Sequence, residues 1–161
     1  HPVFQKDGTV TAGNASGIND SAAALVLMES KAAQRYDLKP LARLVSYGHA
    51  GVDPKFMGIG PIPAVQSALR RANLKIADLD VIESNEAFAV QACVVAKELQ
   101  FDPEKTNPNG GAVALGHPIG ATGSILTIKA IYELHRCGGR YALVTMCIGG
   151  GQGVAAVFER L

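Results

Sequence analysis

The chain has 161 residues, 48% hydrophobic and 18% charged, with a formal net charge of +1. That is room for one domain with a real core, and a composition too apolar for a disordered segment. The near-neutral balance, without a long Lys/Arg run, argues against nucleic acid as a partner, and no apolar stretch reaches the roughly 18–20 residues of a membrane span. The three cysteines, Cys93, Cys137 and Cys147, are odd in number and form no Cys-x-x-Cys. They suggest no disulfide framework and no zinc ribbon, so a reducing compartment is expected. The start, His1-Pro2-Val3-Phe4, lacks an initiator Met and any signal-like core. It is expected to be an interior point of a longer polypeptide or a cleaved piece.

In chain order, residues 8–17 read as a short β-branched strand running into a small-residue turn. Asn19-Asp20-Ser21 supply capping side chains for a helix over 22–35, with Ala24, Leu27, Met28 and Ala32 on its buried face. Residues 41–49 alternate as a strand, and 51–63 form a punctuated loop. Pro63 suits the first turn of a helix reaching Asn73. A turn at 76–79 precedes a buried strand at 81–84. A helix over 86–100 follows with Asn85 as its cap, then a loop over 101–118 and a helix over 119–136. Strands at 141–146 and 154–158, joined by glycines, close the chain. Strands alternating with helices imply an α/β fold with a mixed, mostly parallel sheet, helices on both faces and a final antiparallel pair. Residues 1–38 lack the neighbours needed to complete a layer and read as a segment separate from a domain over 39–161.

Chemistry concentrates where these elements meet. Cys147 ends an apolar strand and precedes Ile148-Gly149-Gly150-Gly151, where glycines let backbone N–H groups approach a ligand. A thiol there is a nucleophile or a base; the alternative is a small buried hydrophobe. Cys93, mid-helix, and Cys137, at a helix end, keep the second role. His117 lies between Gly116 and Pro118 at a helix start, whose positive end favours neutral imidazole and nearby negative charge. Such an imidazole takes a proton from a thiol or donates to an oxyanion; the alternative is a structural histidine. Of the others, only His49 keeps a supporting role. Asn85 is either a helix cap or a carboxamide that positions water, with Glu83 and Glu86 beside it. The glycine run lacks the Lys-Ser/Thr of a phosphate loop and leads into a strand, which excludes a nucleotide site. No metal-ligand spacing is present.

Asn85-Glu86-Ala87-Phe88, Gly116-His117-Pro118-Ile119-Gly120-Ala121-Thr122-Gly123 and Cys147-Ile148-Gly149-Gly150-Gly151 together resemble the C-terminal signatures of the thiolase family. Thr11-Ala12-Gly13-Asn14-Ala15-Ser16-Gly17 resembles the segment entering the thiolase C-terminal half. Gly48-His49-Ala50-Gly51-Val52-Asp53-Pro54 is similar to short-chain bacterial β-ketothiolases. The resemblance implies a reversible Claisen condensation of acyl-CoAs, with no metal or organic cofactor and with coenzyme A as substrate or product. It implies that His117 activates the acyl-accepting cysteine and forms an oxyanion hole with a water held by Asn85. Cys147 would move the α-proton, and the Gly149 N–H would belong to a second oxyanion hole. Ser16 would contact the pantetheine arm of CoA. Met57, Phe88, Ala87 and His49 would line the substrate site.

The acylated cysteine of thiolases lies in the N-terminal half, and no cysteine precedes Cys93 here. Residues 1–38 would therefore be the end of the loop region and N-terminal half, 39–161 the C-terminal domain, and the nucleophile would sit on another segment. The resemblance also implies a homo-oligomer, commonly a tetramer, a bacterial cytoplasm, and a chain that alone folds poorly, self-associates or needs a second chain. Two alternatives stand beside this. One is a non-catalytic thiolase-like domain for assembly or CoA binding. The other is a ketoacyl synthase, against which the second cysteine counts.

Overall fold

A computed structural model describes residues 1–161. Nine regular elements follow one another: α1 Ser30–Arg35, β1 Ala42–Gly51, α2 Pro61–Ala72, β2 Val81–Ser84, α3 Ala89–Leu99, α4 Ala112–Leu115, α5 Thr122–Cys137, β3 Tyr141–Ile148 and β4 Gln152–Arg160. Short 3-10 turns occupy Pro54–Ile59 and Ile76–Asp78. No helix is long and apolar enough to cross a membrane.

The four strands form one sheet in the order β1-β4-β3-β2. β2 and β3 pair in parallel, whereas β1–β4 and β3–β4 are antiparallel. The expected mixed α/β sheet and closing antiparallel pair are present, but the pairings are not mostly parallel. β1, β2 and β3 do run the same way, as strands separated by helices should. β4 returns from β3 through a tight hairpin and inserts between β3 and β1, which turns two of three pairings antiparallel. The consequence matters for the site: the C-terminal ends of β1, β2 and β3 all lie along one edge of the sheet.

Alternation along the strands sorts side chains to two faces. Leu143, Ala155 and Val157 meet Ala64, Val65 and Ala68 of α2, with Val95 and Leu99 of α3. Ala142, Val144 and Phe158 meet Leu126, Ala130 and Leu134 of α5 on the other face. Helices on both faces were expected from the sequence, and α5 alone covers the second. The buried carboxylate Glu83 on β2 points to α5, where Lys129 Nζ lies 2.8 Å from Oε2. Burial pushes this carboxyl above its ordinary range, against the pull of Lys129.

Three sequence expectations fail for physical reasons. No strand forms over 8–17; that stretch makes only isolated bridges, Pro2 to Thr11 and Ala15 to Phe88. The helix expected over 22–35 shrinks to Ser30–Arg35, and Leu27 and Val26 stand 76% and 86% exposed. A helix of this kind is stabilised by the face it buries, and nothing here covers Leu27 and Met28. Finally, the helix expected from Glu86 begins at Ala89, so Asn85 is not its cap.

Candidate active site

The site is built where β2 and β3 end. The parallel ladder continues one step past β2, with the Asn85 N–H donating to Thr145 O at 2.9 Å. Asn85 is therefore held beside the last residues of β3 and is 1% exposed. Freed from capping, its carboxamide turns to His117: Nδ2 lies 3.3 Å from Nε2. Its Oδ1 is buried without a partner. Buried polar atoms are rarely left so, and this one marks where a donor belongs.

His117 is gripped from three sides. Its backbone N–H donates to Gly17 O at 3.0 Å and to Asn19 Oδ1 at 3.2 Å. Its ring Nδ1 lies 2.7 Å from Thr122 Oγ1, in the first turn of α5. Gly116, at φ +94°, leaves room for the Asn19 side chain, which a Cβ would strike at 2.3 Å. Burial lowers the imidazole's affinity for a proton, so the ring is neutral near pH 7. Asn19, read as a helix cap, thus serves the histidine backbone instead.

The turn carrying His117 is itself anchored. Glu86 Oε1 accepts from Asn107 Nδ2 and Oε2 from the Val113 N–H, at 3.2 and 3.1 Å. Gly111 permits this approach, since a Cβ there would sit 2.1 Å from the Glu86 carboxyl carbon. Lys129 Nζ also donates to Gly110 O at 2.6 Å, so neither Glu83 nor Glu86 is merely solvated.

Residues 14–18 cross the site as an extended strap. Ser16 N and Oγ both donate to Ala87 O, at 3.1 and 3.0 Å, and the Ala89 N–H donates to Asn14 O at 2.9 Å. This brings Ser16, buried Ala87 and half-buried Phe88 to the same edge as His117. The strap also walls a cleft of about 420 Å³ between Ile18–Ala23 and Pro118–Ala121.

Cys147 is buried near the end of β3, and burial raises its thiol above the ordinary value, so it rests protonated. Two residues on, Gly149 is exposed and its N–H makes no hydrogen bond within the chain. The hairpin then locks onto the loop carrying Met57. The Val52 N–H donates to Gly151 O at 2.7 Å, and a Cβ on Gly153 would meet Gly60 O at 2.0 Å. Met57, half-buried in the Pro54–Ile59 turn, thereby joins this edge.

A family profile for the thiolase C-terminal domain matches residues 38–160, more than half of the chain. This chain belongs to the thiolase family. A profile for the thiolase N-terminal domain matches residues 1–31 of this thiolase chain. It is 70% identical over 161 residues to the β-ketothiolase BktB of Cupriavidus necator, covering 99% of this chain and 41% of that protein. It is 58% identical over 160 residues to the acetyl-CoA acetyltransferase of Escherichia coli, with 99% and 41% covered. The Bacillus anthracis acetyl-CoA acetyltransferase structure superposes with a TM-score of 0.97 at 53% identity, again covering 99% and 41%. Human mitochondrial 3-ketoacyl-CoA thiolase in complex with CoA gives 0.92 at 48%, covering 99% and 41%. The thiolase chain spans about two fifths of the length of these relatives.

Of the residues singled out in the sequence, Asn85, His117, Ser16, Ala87 and Phe88 are tied together by hydrogen bonds or bridges, and Cys147, Gly149 and Met57 share their edge. His49 does not join them. It lies exposed within edge strand β1, in register with Val154 and Met146, about 10 Å from β3 across two strand spacings. Sequence reasoning missed Thr122, Asn19, Asn107 and Lys129. Thr122 was readable only as the residue five positions past His117 at a helix start; the others depend on long-range contacts.

Proposed function

We propose that residues 1–161 are the C-terminal part of an acetyl-CoA C-acetyltransferase or 3-ketoacyl-CoA thiolase, catalysing reversible Claisen condensation and thiolysis of acyl-CoAs. Residues 1–38 belong to the end of its loop region and N-terminal half, and 39–161 to its C-terminal domain. The observation that carries this reading is the Asn85–His117 pair at the end of β2, beside a buried thiol that ends β3. A neutral imidazole, a carboxamide with a bare oxygen and a free N–H at Gly149 are what an enolate-forming reaction requires.

His117 takes the proton of an acyl-accepting cysteine that these 161 residues do not supply. Cys93 and Cys137 are exposed, on the outer side of α3 and at the end of α5, away from the strand ends. The imidazolium so formed donates, with a water held on Asn85 Oδ1, to the thioester oxygen. One such preorganised donor is worth about 10²–10³ in rate. Cys147 rests protonated, so it first acts as an acid: it gives its proton to the departing CoA thiolate. As a thiolate it then removes the α-proton of the second acyl-CoA, leaving an enolate next to the Gly149 N–H. The chemistry needs no cofactor beyond coenzyme A as substrate or product.

The N-terminal half is also the natural cover for what this chain leaves bare. Val90 and Val94 stand 51% and 39% exposed beside Cys93 on α3, forming an apolar stripe at helical spacing. The reading is tested by fusing residues 1–161 behind the N-terminal portion of the BktB relative and adding labelled acetyl-CoA. The label should be trapped on a cysteine outside residues 1–161. Label on Cys93, Cys137 or Cys147, or full activity in Cys147→Ala and His117→Ala variants, would overturn it.

A further inference from the structure

The contacts around His117 carry one assignment more, which rests on the thiolase reading for its use but not for its geometry. Thr122 Oγ1 lies 3.0 Å from Pro118 O and 2.7 Å from His117 Nδ1. Two oxygens at that separation need a proton between them, and the carbonyl has none to give. The hydroxyl proton is therefore directed at Pro118 O, which also accepts the Ala121 and Thr122 N–H groups at 2.8 and 2.9 Å, so the assignment rests on the contact at Nε2 as well. His117 Nδ1 must then supply the proton of its own contact with Oγ1.

A neutral imidazole carries one N–H, so Nε2 is left as an acceptor. The third contact agrees, because Asn85 Nδ2 is a donor and faces that same Nε2 at 3.3 Å. The opposite tautomer would leave the two oxygens facing each other without a proton. It would also require the Asn85 carboxamide to be turned over. Thr122 is 3% exposed, so no bulk solvent competes for its hydroxyl.

We infer that Thr122 is a positioning residue that fixes His117 in the Nδ1–H tautomer and so makes Nε2 the proton acceptor of the site. The partner of one ring nitrogen sets the role of the other. Proton transfer then balances simply: the S–H bond of the attacking cysteine breaks, an Nε2–H bond forms, and the electron pair stays on sulfur. The imidazolium keeps Nδ1–H on Thr122 and presents Nε2–H to the developing oxyanion. With the other tautomer, Nε2 already holds a proton and that first step is closed. A hydroxyl, unlike a carboxylate, orients the ring without adding charge beside it.

The test uses the BktB-fused protein and compares the parent with Thr122→Val and Thr122→Ser; His117→Gln identifies the ring signals. Nitrogen-15 spectra of the His117 ring should show a protonated Nδ1 and a bare Nε2 in the parent and in Thr122→Ser. Thr122→Val should shift the population toward Nε2–H and lower kcat/KM about 10–100-fold, the scale for losing a group that orients a functional histidine. Thr122→Ser should recover most of that rate. A protonated Nε2 in the neutral parent would overturn the inference without any variant, which guards against Thr122→Val failing to fold. An unchanged tautomer in Thr122→Val would overturn it equally. A parent that shows the Nδ1–H signal but cannot transfer acetyl groups would instead count against the thiolase reading.

Discussion

Replacing Gly153 and Gly149 by alanine separates packing from chemistry within one glycine run. A Cβ on Gly153 would lie 2.0 Å from Gly60 O and 2.1 Å from its carbonyl carbon. Both atoms are backbone and cannot swing aside, so strand β4 and the Met57 loop must part by more than an ångström. Overpacking of this kind costs about 1–3 kcal/mol, and more when rigid groups collide. At about 2–4 °C per kcal/mol for a chain of this size, Gly153→Ala should lower the unfolding midpoint by roughly 2–12 °C. A Cβ on Gly149 meets nothing within 4 Å, and its φ lies outside the left-handed region. Gly149→Ala should therefore unfold with the parent, or up to about 1 kcal/mol later through a stiffer unfolded chain. It keeps the N–H yet fills the space above it, so it should still slow acyl transfer. Urea and thermal unfolding followed by circular dichroism, with acetoacetyl-CoA thiolysis in the fused protein, read both quantities. Equal destabilisation by the two changes, or full activity in Gly149→Ala, would refute the reasoning.

Further outcomes follow from the charged and titrating groups. Asn85→Ala should lower thiolysis by about 10²–10³ while leaving the fold intact, as expected for one oxyanion donor system; steady-state kinetics check it. The acid limb of kcat/KM should fall below the ordinary histidine value of about 6.5, because burial lowers His117 and protonation removes the base. An acid limb above that value would contradict the lowered imidazole. Lys129→Met strands the buried Glu83 carboxylate and should cost about 3–5 kcal/mol at pH 7. Glu83 then binds its proton more tightly folded than unfolded, so stability rises as pH falls and the deficit should shrink toward pH 5. Urea titrations at the two pH values test the sign.

What the sequence disclosed and what it hid divide along a physical line. β2 was readable to the residue, because a short apolar run between turn signals has few other fates. Asn85 and His117 stood out because each sits where an element begins or ends. The closing antiparallel pair was readable, but the place of β4 was not: nothing in its residues states that it inserts between β1 and β3. The helix over 22–35 failed because periodicity reports a face that would be buried, and Leu27 and Met28 have no surface to bury it on. Thr122 was invisible for another reason. Its role is a hydrogen bond to a ring nitrogen, and Ala-Thr-Gly at a helix start reads equally as a Thr bonded back to Pro118.

The central claim is that these 161 residues hold the acid, base and oxyanion groups of a thiolase site, while the nucleophile lies elsewhere. Thiolysis of acetoacetyl-CoA by the chain alone, and again when joined to a thiolase N-terminal portion, tests it most directly. The account predicts no turnover alone, turnover when joined, and loss of that turnover in Cys147→Ala. Turnover by the chain alone, or turnover in the joined protein that survives Cys147→Ala, would contradict it.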